Sequence, residues 1–265
     1  MNNRFFKGKT ALVTGAGSGI GEAIAKQLAQ RGTNVIISGL DIKALDRVRQ
    51  TCEDYGVKAW SFEFDLSNTD SIDTLVDFIN NNGIRPDIFV FNAGVSQRAL
   101  TLESDFSVDR KLMDINFFGS VYITKRFKEL LISAQCTYIA VNTSISGLFG
   151  FPLRSAYCAS KHALFGFFES LELENRNIKV TFIIPGRVNT QISKSAITAN
   201  GEAYAKMDAG QANGMDVDKC ARQAVMAIAK GKHKRLIGGK ELLMAYFYKY
   251  TPCIFYKLAR KVSAT

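Results

Sequence analysis

A glycine-rich turn near the N-terminus constrains the fold more strongly than any other stretch of this chain. Positions 9–14 form an apolar, β-branched run that predicts a strand, and this run leads into Gly15-Ala16-Gly17-Ser18-Gly19-Ile20-Gly21. A helical pattern follows at 22–31 and a second strand-like run at 34–38. This order within roughly 30 residues is typical of the unit that binds dinucleotides, because glycines let the backbone approach a pyrophosphate and the helix presents free N–H groups. We therefore predict a dinucleotide site at this turn.

The alternation of strand and helix patterns continues beyond this unit. Further strands are predicted at 58–64, 87–91, 137–141 and 179–184, and helices at 69–81, 108–133 and 155–175. This spacing predicts an α/β fold: a three-layer, doubly wound, parallel Rossmann-type sheet in a single domain. We assign residues 1–240 to that domain and 241–265 to a basic, aromatic C-terminal tail.

The ends of the predicted strands indicate where a ligand would bind. On parallel sheets, ligands lie beyond the carboxyl ends of the strands. Gly15, Asp65, Asn92, Ser144 and Pro185 each follow a predicted strand. We expect these residues to converge on one crevice.

The stretch 144–161 supplies residue types suited to proton transfer. Tyr157 and Lys161 are four positions apart, so a helix that begins near Ser155 places them on one face. A nearby ammonium lowers the pKa of a phenol, which makes the tyrosine a usable acid or base near neutral pH. Ser144 is placed to hydrogen-bond a substrate oxygen. A Tyr-x-x-x-Lys pair also occurs by chance on surface helices, so its interpretation depends on the rest of the chain.

The composition argues against a metal site and a membrane-spanning segment. The five cysteines contain no C-x-x-C pair and there are only two histidines, which leaves no metal-ligand cluster and fits reduced thiols in a cytoplasmic protein. No apolar run reaches the roughly 18 residues of a membrane span. The first ten residues lack the apolar segment of a signal peptide or N-terminal anchor. We expect a cytoplasmic protein without a bound metal.

Most of the net charge of +10 lies at the C-terminal end. From position 230 onward nine Lys and Arg face one acid, Glu241, which accounts for +8. Six aromatic residues at 246–256 lie among lysines and arginines, and Pro252 is predicted to interrupt any helix there. Such a tail suits peripheral contact with the inner, anionic face of a membrane, but it equally suits a cover over the crevice or a subunit contact. No nucleic-acid-binding motif accompanies it, so we expect no nucleic-acid partner.

The stretch 186–214 lacks clear periodicity and follows a predicted strand. A loop of this length in a compact domain is usually functional or disordered. It is either a lid that closes over a substrate or a disordered segment.

Taken together, the chain resembles the short-chain dehydrogenase/reductases over about residues 8–240. The family motifs, in order, match Thr14, Gly15, Gly19 and Gly21; Asp65; Asn92-Ala93-Gly94; Asn116; Ser144, Tyr157 and Lys161; and Pro185, Gly186 and Thr190. Within the family, the stretches 94–100 and 157–168 are similar to the branch called dehydrogenase/reductase SDR family member 7. Relatives in that branch act on retinoids, steroids and other apolar carbonyls, which implies a small apolar carbonyl or alcohol substrate.

The resemblance implies a role for each matched residue. Asn116, Ser144, Tyr157 and Lys161 are the implied catalytic residues, with Tyr157 as acid/base, Ser144 on the substrate oxygen, Lys161 on the nicotinamide ribose and Asn116 holding a water. The implied cofactor-binding residues are Thr14, Gly15, Gly17, Ser18, Gly19, Ile20, Gly21, Ser38, Gly39, Asp65, Leu66, Asn92, Ala93, Gly94, Tyr157, Lys161, Pro185, Gly186, Val188 and Thr190.

The choice of cofactor depends on the end of the second strand. Relatives that prefer NAD have an acid where Gly39 aligns, relatives that prefer NADP have arginine where Leu40 aligns, and this chain has neither. Gly39 leaves room for a 2′-phosphate that Lys43 would reach, whereas Asp41 would repel it if turned inward. We favour NADP(H) over NAD(H).

Three further expectations concern assembly and activity. In the resembled family the helix at 155–175 packs against its copy, so a homodimer or homotetramer is expected from its apolar stripe (Phe165, Phe168, Leu171, Leu173). A nucleotide-binding sensor or scaffold without turnover is an alternative function, which loss of Tyr157 or Lys161 would have favoured. A dehydratase or epimerase on the same scaffold is another.

Overall fold

Strands and helices alternate along the chain. The computed structural model describes residues 3–261, so the last four residues of the predicted tail lie outside the described residues. The strands are β1 (Thr10–Thr14), β2 (Asn34–Gly39), β3 (Ala59–Glu63), β4 (Ile88–Phe91), β5 (Gln97–Arg98), β6 (Thr137–Asn142), β7 (Ile178–Pro185), β8 (Ile197–Thr198) and β9 (Lys234–Ile237). The α-helices are α1 (Gly19–Ala29), α2 (Ile42–Glu53), α3 (Thr69–Asn81), α4 (Phe106–Met113), α5 (Gly119–Arg126), α6 (Lys128–Ser133), α7 (Ser155–Glu174), α8 (Ala209–Ala212), α9 (Val217–Ala229), α10 (Leu243–Tyr250) and α11 (Pro252–Ala259).

Seven parallel strands form the main sheet in the order β3-β2-β1-β4-β6-β7-β9. Successive strand residues point to opposite faces. Val13 of β1 therefore packs with α1, α2 and α9 in one buried cluster, while Leu12 packs with α3, α5 and α7 in the other. Helices cover both faces, which confirms the predicted doubly wound Rossmann-type fold in a single domain. The strand order reverses between β1 and β4, the position where such sheets bind ligands.

The long helical stretch predicted at about 108–133, which contains Asn116, is present but is interrupted twice. A π-helical turn over Asp114–Phe118 separates α4 from α5, and Phe127, with φ −92° and ψ 15°, separates α5 from α6. Apolar periodicity cannot locate a π turn, because the extra residue in the turn is stabilised by tertiary contacts. Asn116 lies in this turn, and its contacts are described below.

The stretch 186–214 contains short ordered elements. β8 pairs in parallel with β5, with Ile197 opposite Gln97, and α8 follows it. Val188, Ile192 and Gln211 of this stretch line the cavity described below. This arrangement is that of a folded wall over the crevice, and it favours the lid over the disordered alternative.

The described part of the tail, residues 241–261, contains two α-helices that pack on the main body. Pro252 lies in the first turn of α11 and separates it from α10, which confirms the predicted interruption. Phe255 and Ala259 of α11 are buried against Phe149.

Residues 3–261 show neither a membrane span nor a metal cluster. No helix in this part of the chain combines the length and apolarity needed to cross a membrane. No group of three or more His, Cys, Asp or Glu among these residues is placed to hold a metal ion. The cysteines are free thiols, and only Cys253 among them is exposed.

Candidate functional site

The glycine turn makes a tight cradle between β1 and α1. Gly15 has a φ of +63°, and a Cβ there would lie 2.7 Å from the Cα of Ala93. A Cβ on Gly21 would collide with the carbonyl oxygen of Gly15. Both positions therefore exclude larger side chains. The turn between them is partly exposed, and Ser18, the N-cap of α1, makes no side-chain hydrogen bond to the first turn of the helix. The first N–H groups of α1 are therefore not capped by this side chain.

Two side chains join the ends of β1 and β4. The Thr14 hydroxyl accepts hydrogen bonds from the backbone N–H groups of Asn92 (3.0 Å) and Ala93 (3.1 Å). The Asn92 amide donates to the carbonyls of Thr14 and Gly15, both at 3.1 Å, and its Oδ1 accepts from Asn142 (2.7 Å). The Thr14 hydroxyl is thus used in holding the crevice together.

Asn116 braces the segment that follows β4. Its Oδ1 accepts a hydrogen bond from the Val95 N–H (2.8 Å), and its Nδ2 donates to the Val95 carbonyl (2.9 Å) and to the Ser160 hydroxyl (3.0 Å). A Cβ on Gly94 would lie 2.8 Å from Asn116 Oδ1 and 3.2 Å from Lys161 Nζ. The π turn therefore places Asn116 against Gly94, which Lys161 also approaches.

Ser144, Tyr157 and Lys161 line one cavity of about 480 Å³. Tyr157 is 8% and Lys161 4% exposed. The Lys161 ammonium donates to the Asn142 carbonyl (3.0 Å) and lies 5.9 Å from the centre of the Tyr157 ring. The Ser144 side chain lies close enough to the Tyr157 hydroxyl to lower the pKa of Tyr157. The fold thus brings the three residues of the 144–161 stretch together.

Burial controls the pKa values of this group. Burial raises the pKa of Tyr157, and the hydrogen bond with Ser144 and the charges of Arg154 and Arg98 offset only part of that rise. Burial likewise lowers the pKa of Lys161 to about 8. Both shifts favour the neutral form, because removal from water penalises charge. The expectation that Lys161 lowers the Tyr157 pKa is wrong for the protein by itself.

The end of β7 and the segment that follows it form another wall of the cavity, which includes Pro185, Gly186, Val188 and Thr190. Glu241 holds this segment from the C-terminal side. Its Oε1 accepts hydrogen bonds from the backbone N–H groups of Arg187 (2.9 Å) and Gly239 (3.0 Å). A Cβ on Gly186 would collide with Glu241, so the glycine makes room for this contact. From the sequence, Glu241 is noted only as the single acidic residue from position 230 onward, and no role in the site is predicted for it.

The implied cofactor contacts from β2 and β3 are only partly accessible. The fully buried Ser38 hydroxyl donates to a β1 backbone carbonyl (3.1 Å). Leu66 is buried against Gly119. Their side chains are therefore not free to contact a cofactor. Asp65 is partly exposed, and its Oδ1 accepts from both the N–H (2.8 Å) and the hydroxyl (2.7 Å) of Ser67.

The segment after β2 shows whether Asp41 turns inward, where it would repel a 2′-phosphate. Its carboxylate caps α2 by accepting from two first-turn N–H groups at 3.1 and 3.2 Å, so it is not turned inward. A Cβ on Gly39 would meet nothing closer than 3.6 Å. Arg47 of α2 donates to the Gly17 carbonyl (3.1 Å) and pairs with Glu22 (2.7 Å). No helix is predicted at 42–53 from periodicity, so Arg47 is missed by the sequence analysis.

A buried charge cluster in the cavity wall is also missed. Arg98 and Asp208 form a salt bridge, Arg154 contacts Asp208 at 3.3 Å, and the Ser193 hydroxyl donates to it at 3.1 Å. Burial lowers the pKa of Arg154 to about 10. Arg98 and Asp208 are 110 positions apart, so no local pattern signals their contact. The cluster ties the 186–214 segment to the segments that precede and carry Tyr157.

The tail covers one side of the crevice. The Phe255 and Phe149 ring centroids are 4.8 Å apart, and Met244 of α10 lines the cavity. The outer face of the tail still exposes Tyr246, Tyr250, Ile254 and Tyr256. The cover over the crevice is thus present, and the outer face remains open for a membrane or a subunit.

Comparisons with known proteins agree with this architecture. The family described as short chain dehydrogenase matches residues 9–201. The chain is 31% identical over 263 residues to a Xenopus laevis protein named dehydrogenase/reductase SDR family member 7B, covering 96% of this chain and 81% of that relative.

Two solved structures share the fold. One is a short chain dehydrogenase/reductase from Burkholderia phymatum in complex with NAD, with a TM-score of 0.82, 23% identity, and coverage of 94% of this chain and 95% of that one. The other is an alcohol dehydrogenase from the archaeon Thermococcus sibiricus complexed with 5-hydroxy-NADP, with a TM-score of 0.76, 22% identity, and coverage of 88% and 97%. The chain therefore belongs to the short-chain dehydrogenase/reductase family, with dehydrogenase/reductase SDR family member 7 proteins among its relatives, and is an oxidoreductase with an NAD(P)-binding fold.

Proposed function

We propose that this oxidoreductase interconverts a carbonyl and an alcohol on a small, apolar substrate, with Tyr157 as the acid/base. The observation that carries the proposal is that Ser144, Tyr157 and Lys161 line the same cavity as Ile20 of the glycine turn. Proton transfer and cofactor binding would then occur in one enclosed space. A cavity of this size suits a small organic molecule.

The residues at the switch point fit a nicotinamide dinucleotide. The absence of side chains at Gly15 and Gly21 leaves a cradle whose backbone can approach a pyrophosphate. The segments 92–94 and 185–190 are proposed to hold the nicotinamide end, since both line the cavity beside Lys161. A bound cofactor would supply or take up the hydride.

The protein groups act on the proton and on the substrate oxygen. In reduction, Tyr157 donates its proton to that oxygen while the Ser144 hydroxyl holds it as negative charge develops. The raised pKa keeps the phenol protonated at neutral pH, which suits proton donation. We propose that Lys161 binds the nicotinamide ribose and that Asn116, which like Lys161 lies close to Gly94, holds a water leading to solvent.

The cavity lining supports an apolar substrate with one polar region. The apolar lining residues are Ile145, Phe149, Phe151, Ile192 and Met244. Arg98, Arg154 and Asp208 line the cavity as well. Apolar aldehydes and ketones are therefore the first candidates.

The proposed activity is tested by incubating the purified protein with NADPH or NADH and a panel of apolar aldehydes and ketones. The expected result is an alcohol product identified by mass spectrometry, together with oxidation of the cofactor. Tight cofactor binding without turnover of any carbonyl would contradict the proposed activity and favour the sensor.

We propose that NADP(H) is preferred, because Lys43 and Arg47 lie on the first turns of α2 and Asp41 is held as its cap. Gly39 has room for a side chain, so Gly39→Asp places a carboxylate where a 2′-phosphate would lie. The variant is expected to bind NADPH about tenfold or more weakly, because like charges repel, and NADH equally well. Fluorescence titration measures both affinities. Unchanged NADPH binding in Gly39→Asp would refute the placement of the phosphate.

We propose assembly into a homodimer or homotetramer through apolar residues that remain outside the core. Phe168 of the predicted stripe is fully buried in its own subunit, and Phe165 stacks on Phe182. Leu173 (85% exposed) and Phe118 (50% exposed) remain at the surface. Light scattering should give the mass of two or four chains, and a monomer at micromolar concentration would contradict this assembly.

We propose that the outer face of the tail makes peripheral contact with an anionic membrane. Its exposed aromatic residues lie beside Lys249, Lys257 and Arg260, a combination that favours anionic interfaces. The protein should sediment with phosphatidylserine vesicles at low salt and not with phosphatidylcholine vesicles. Failure to sediment with either kind of vesicle would contradict the membrane contact and leave the cytoplasm as the proposed location.

A further inference from the structure

A side chain from outside α7 caps the helix that carries Tyr157 and Lys161. Gln97 of β5 is 0% exposed, and its Oε1 accepts hydrogen bonds from the backbone N–H groups of Ala156 (2.9 Å) and Tyr157 (3.4 Å). The N-cap residue of α7, Arg154, makes no side-chain capping bond to the helix. The first-turn donors that a cap normally satisfies are thus served by Gln97.

The other end of the Gln97 amide is held equally firmly. Its Nε2 donates to the Ser104 hydroxyl (3.2 Å) and to Asp109 Oδ1 on α4 (3.2 Å), and Ser104 also donates to Asp109 (3.0 Å). A carboxylate only accepts hydrogen bonds, so the NH₂ group must face Asp109 and the oxygen must face the helix. All the hydrogen-bonding capacity on the NH₂ side is used, and the amide has one orientation.

The backbone of Gln97 ties the same point to the wall of the cavity. Gln97 pairs with Ile197 of β8, and its carbonyl accepts a hydrogen bond from Arg98 (2.6 Å). Arg98 in turn binds Asp208. Gln97 therefore joins the start of α7, helix α4 and the 186–214 segment at one buried position.

We propose that Gln97 is a positioning residue, which fixes the first turn of α7 so that the Tyr157 hydroxyl meets Ser144 and the substrate oxygen. The inference rests on the proposed function, because it gives Gln97 its role through Tyr157. The Ser144 contact depends on where the helix begins, since Tyr157 lies in its first turn. Displacement of a reacting group by about 1 Å can reduce turnover roughly 100-fold.

The first test compares Gln97→Met with Gln27→Met. Methionine keeps the length of the side chain and removes its hydrogen bonds. Gln27 is a buried glutamine of α1, far along the chain from the site, that bonds Gln30 and Arg31, so it controls for loss of a buried amide. Gln97→Met should lower kcat about 10- to 100-fold while the cofactor Kd stays within about twofold. Gln27→Met should change neither.

Two further readouts separate positioning from a general loss of stability. In the oxidation direction Tyr157 must lose its proton, and Ser144 lowers the pKa of Tyr157. Because Gln97→Met should weaken the contact with Ser144, kcat for oxidation should begin to rise at a higher pH in this variant. Hydrogen–deuterium exchange at 155–158 should become faster in the cofactor-free protein, which requires no turnover to measure. Unchanged exchange at 155–158 with normal kcat would overturn the proposal, and absence of turnover in the wild type would overturn the proposed function instead.

Moving the carboxylate from position 109 to position 97 tests whether turnover can be restored. Gln97→Glu should impair turnover, because its carboxylate would face Asp109. Adding Asp109→Asn restores a donor opposite an acceptor, so the double variant should recover most of the kcat lost in Gln97→Glu. Equal loss in the single and double variants would refute the role of the Gln97 and Asp109 contact.

Discussion

Replacing Tyr157 with phenylalanine is expected to reduce turnover about 1,000-fold or more while leaving cofactor affinity within about twofold. The change removes only the hydroxyl, and the ring remains packed in a site where Tyr157 is already buried. That hydroxyl is the group on which the Ser144 side chain acts, because Ser144 lowers the pKa of Tyr157. Positioned acid/base groups contribute roughly 100- to 10,000-fold to enzymatic rates, and no neighbouring phenol is placed to replace it among the cavity-lining residues.

Tyr122→Phe is the matched control for this experiment. The Tyr122 hydroxyl donates to Asp73 at 3.1 Å on the side of α3, away from the cavity. Its removal should leave kcat unchanged. Steady-state kinetics and fluorescence titration of NADPH measure the two effects. Near-normal turnover in Tyr157→Phe would contradict the assignment of the acid/base.

Replacing Lys161 with methionine is expected to abolish turnover and to stabilise the cofactor-free protein. Burial lowers the Lys161 pKa from 10.5 to about 8, which corresponds to about 3 kcal/mol of destabilisation when the lysine is charged. Loss of the hydrogen bond to Asn142 offsets about 1 kcal/mol of the gain. The net gain of about 2 kcal/mol should raise Tm by roughly 4–8 °C at pH 7.

The stabilisation by Lys161→Met should be nearly constant below about pH 8 and should decrease above that pH. Below about pH 8 the lysine is protonated in both the folded and unfolded states, so the full penalty of burying its charge applies. Between pH 8 and 10.5 only the unfolded state still binds the proton, and the wild type gains stability as pH rises. The advantage of Lys161→Met should therefore disappear near pH 10.5. Calorimetry against the exposed-site control Lys128→Met measures it, and a destabilised Lys161→Met at pH 7 would refute the account.

This opposition of function and stability is common at active sites. Lys161 is buried beside Tyr157, with one backbone carbonyl as its hydrogen-bond acceptor. A hydrophobic residue would fill the same space at lower cost in free energy. We therefore attribute the buried lysine to its proposed role in binding the nicotinamide ribose.

The main sheet follows from local patterns in the sequence. The strand at 137–141 and the helix at 69–81 match β6 and α3 because short apolar runs and helical periodicity report burial directly. Asn68 caps α3 with its side chain, which sharpens the start of that helix. Doubly wound topology then follows from the order of the elements.

The missed features depend on contacts between distant residues. The π turn at Asn116 is stabilised by Val95, the Gln97 amide joins α7 to α4, and Arg98 meets Asp208 from the other side of the cavity. Glu241 holds Arg187 across 54 positions. None of these pairs leaves a periodic signal, because each is created only when the sheet brings the segments together. The Tyr157 pKa is a further case, since its direction depends on burial that spacing does not reveal.

The most direct test of the central claim is transfer of deuterium from NADPH labelled at its transferable position to a carbonyl substrate. The protein is mixed with labelled cofactor and an apolar ketone or aldehyde, and the product is analysed by mass spectrometry. We predict an alcohol that carries deuterium on the former carbonyl carbon, formed by the wild type and not by Tyr157→Phe. A product without deuterium, formed by loss of water or inversion of a centre while the cofactor stays unchanged, would contradict the oxidoreductase mechanism.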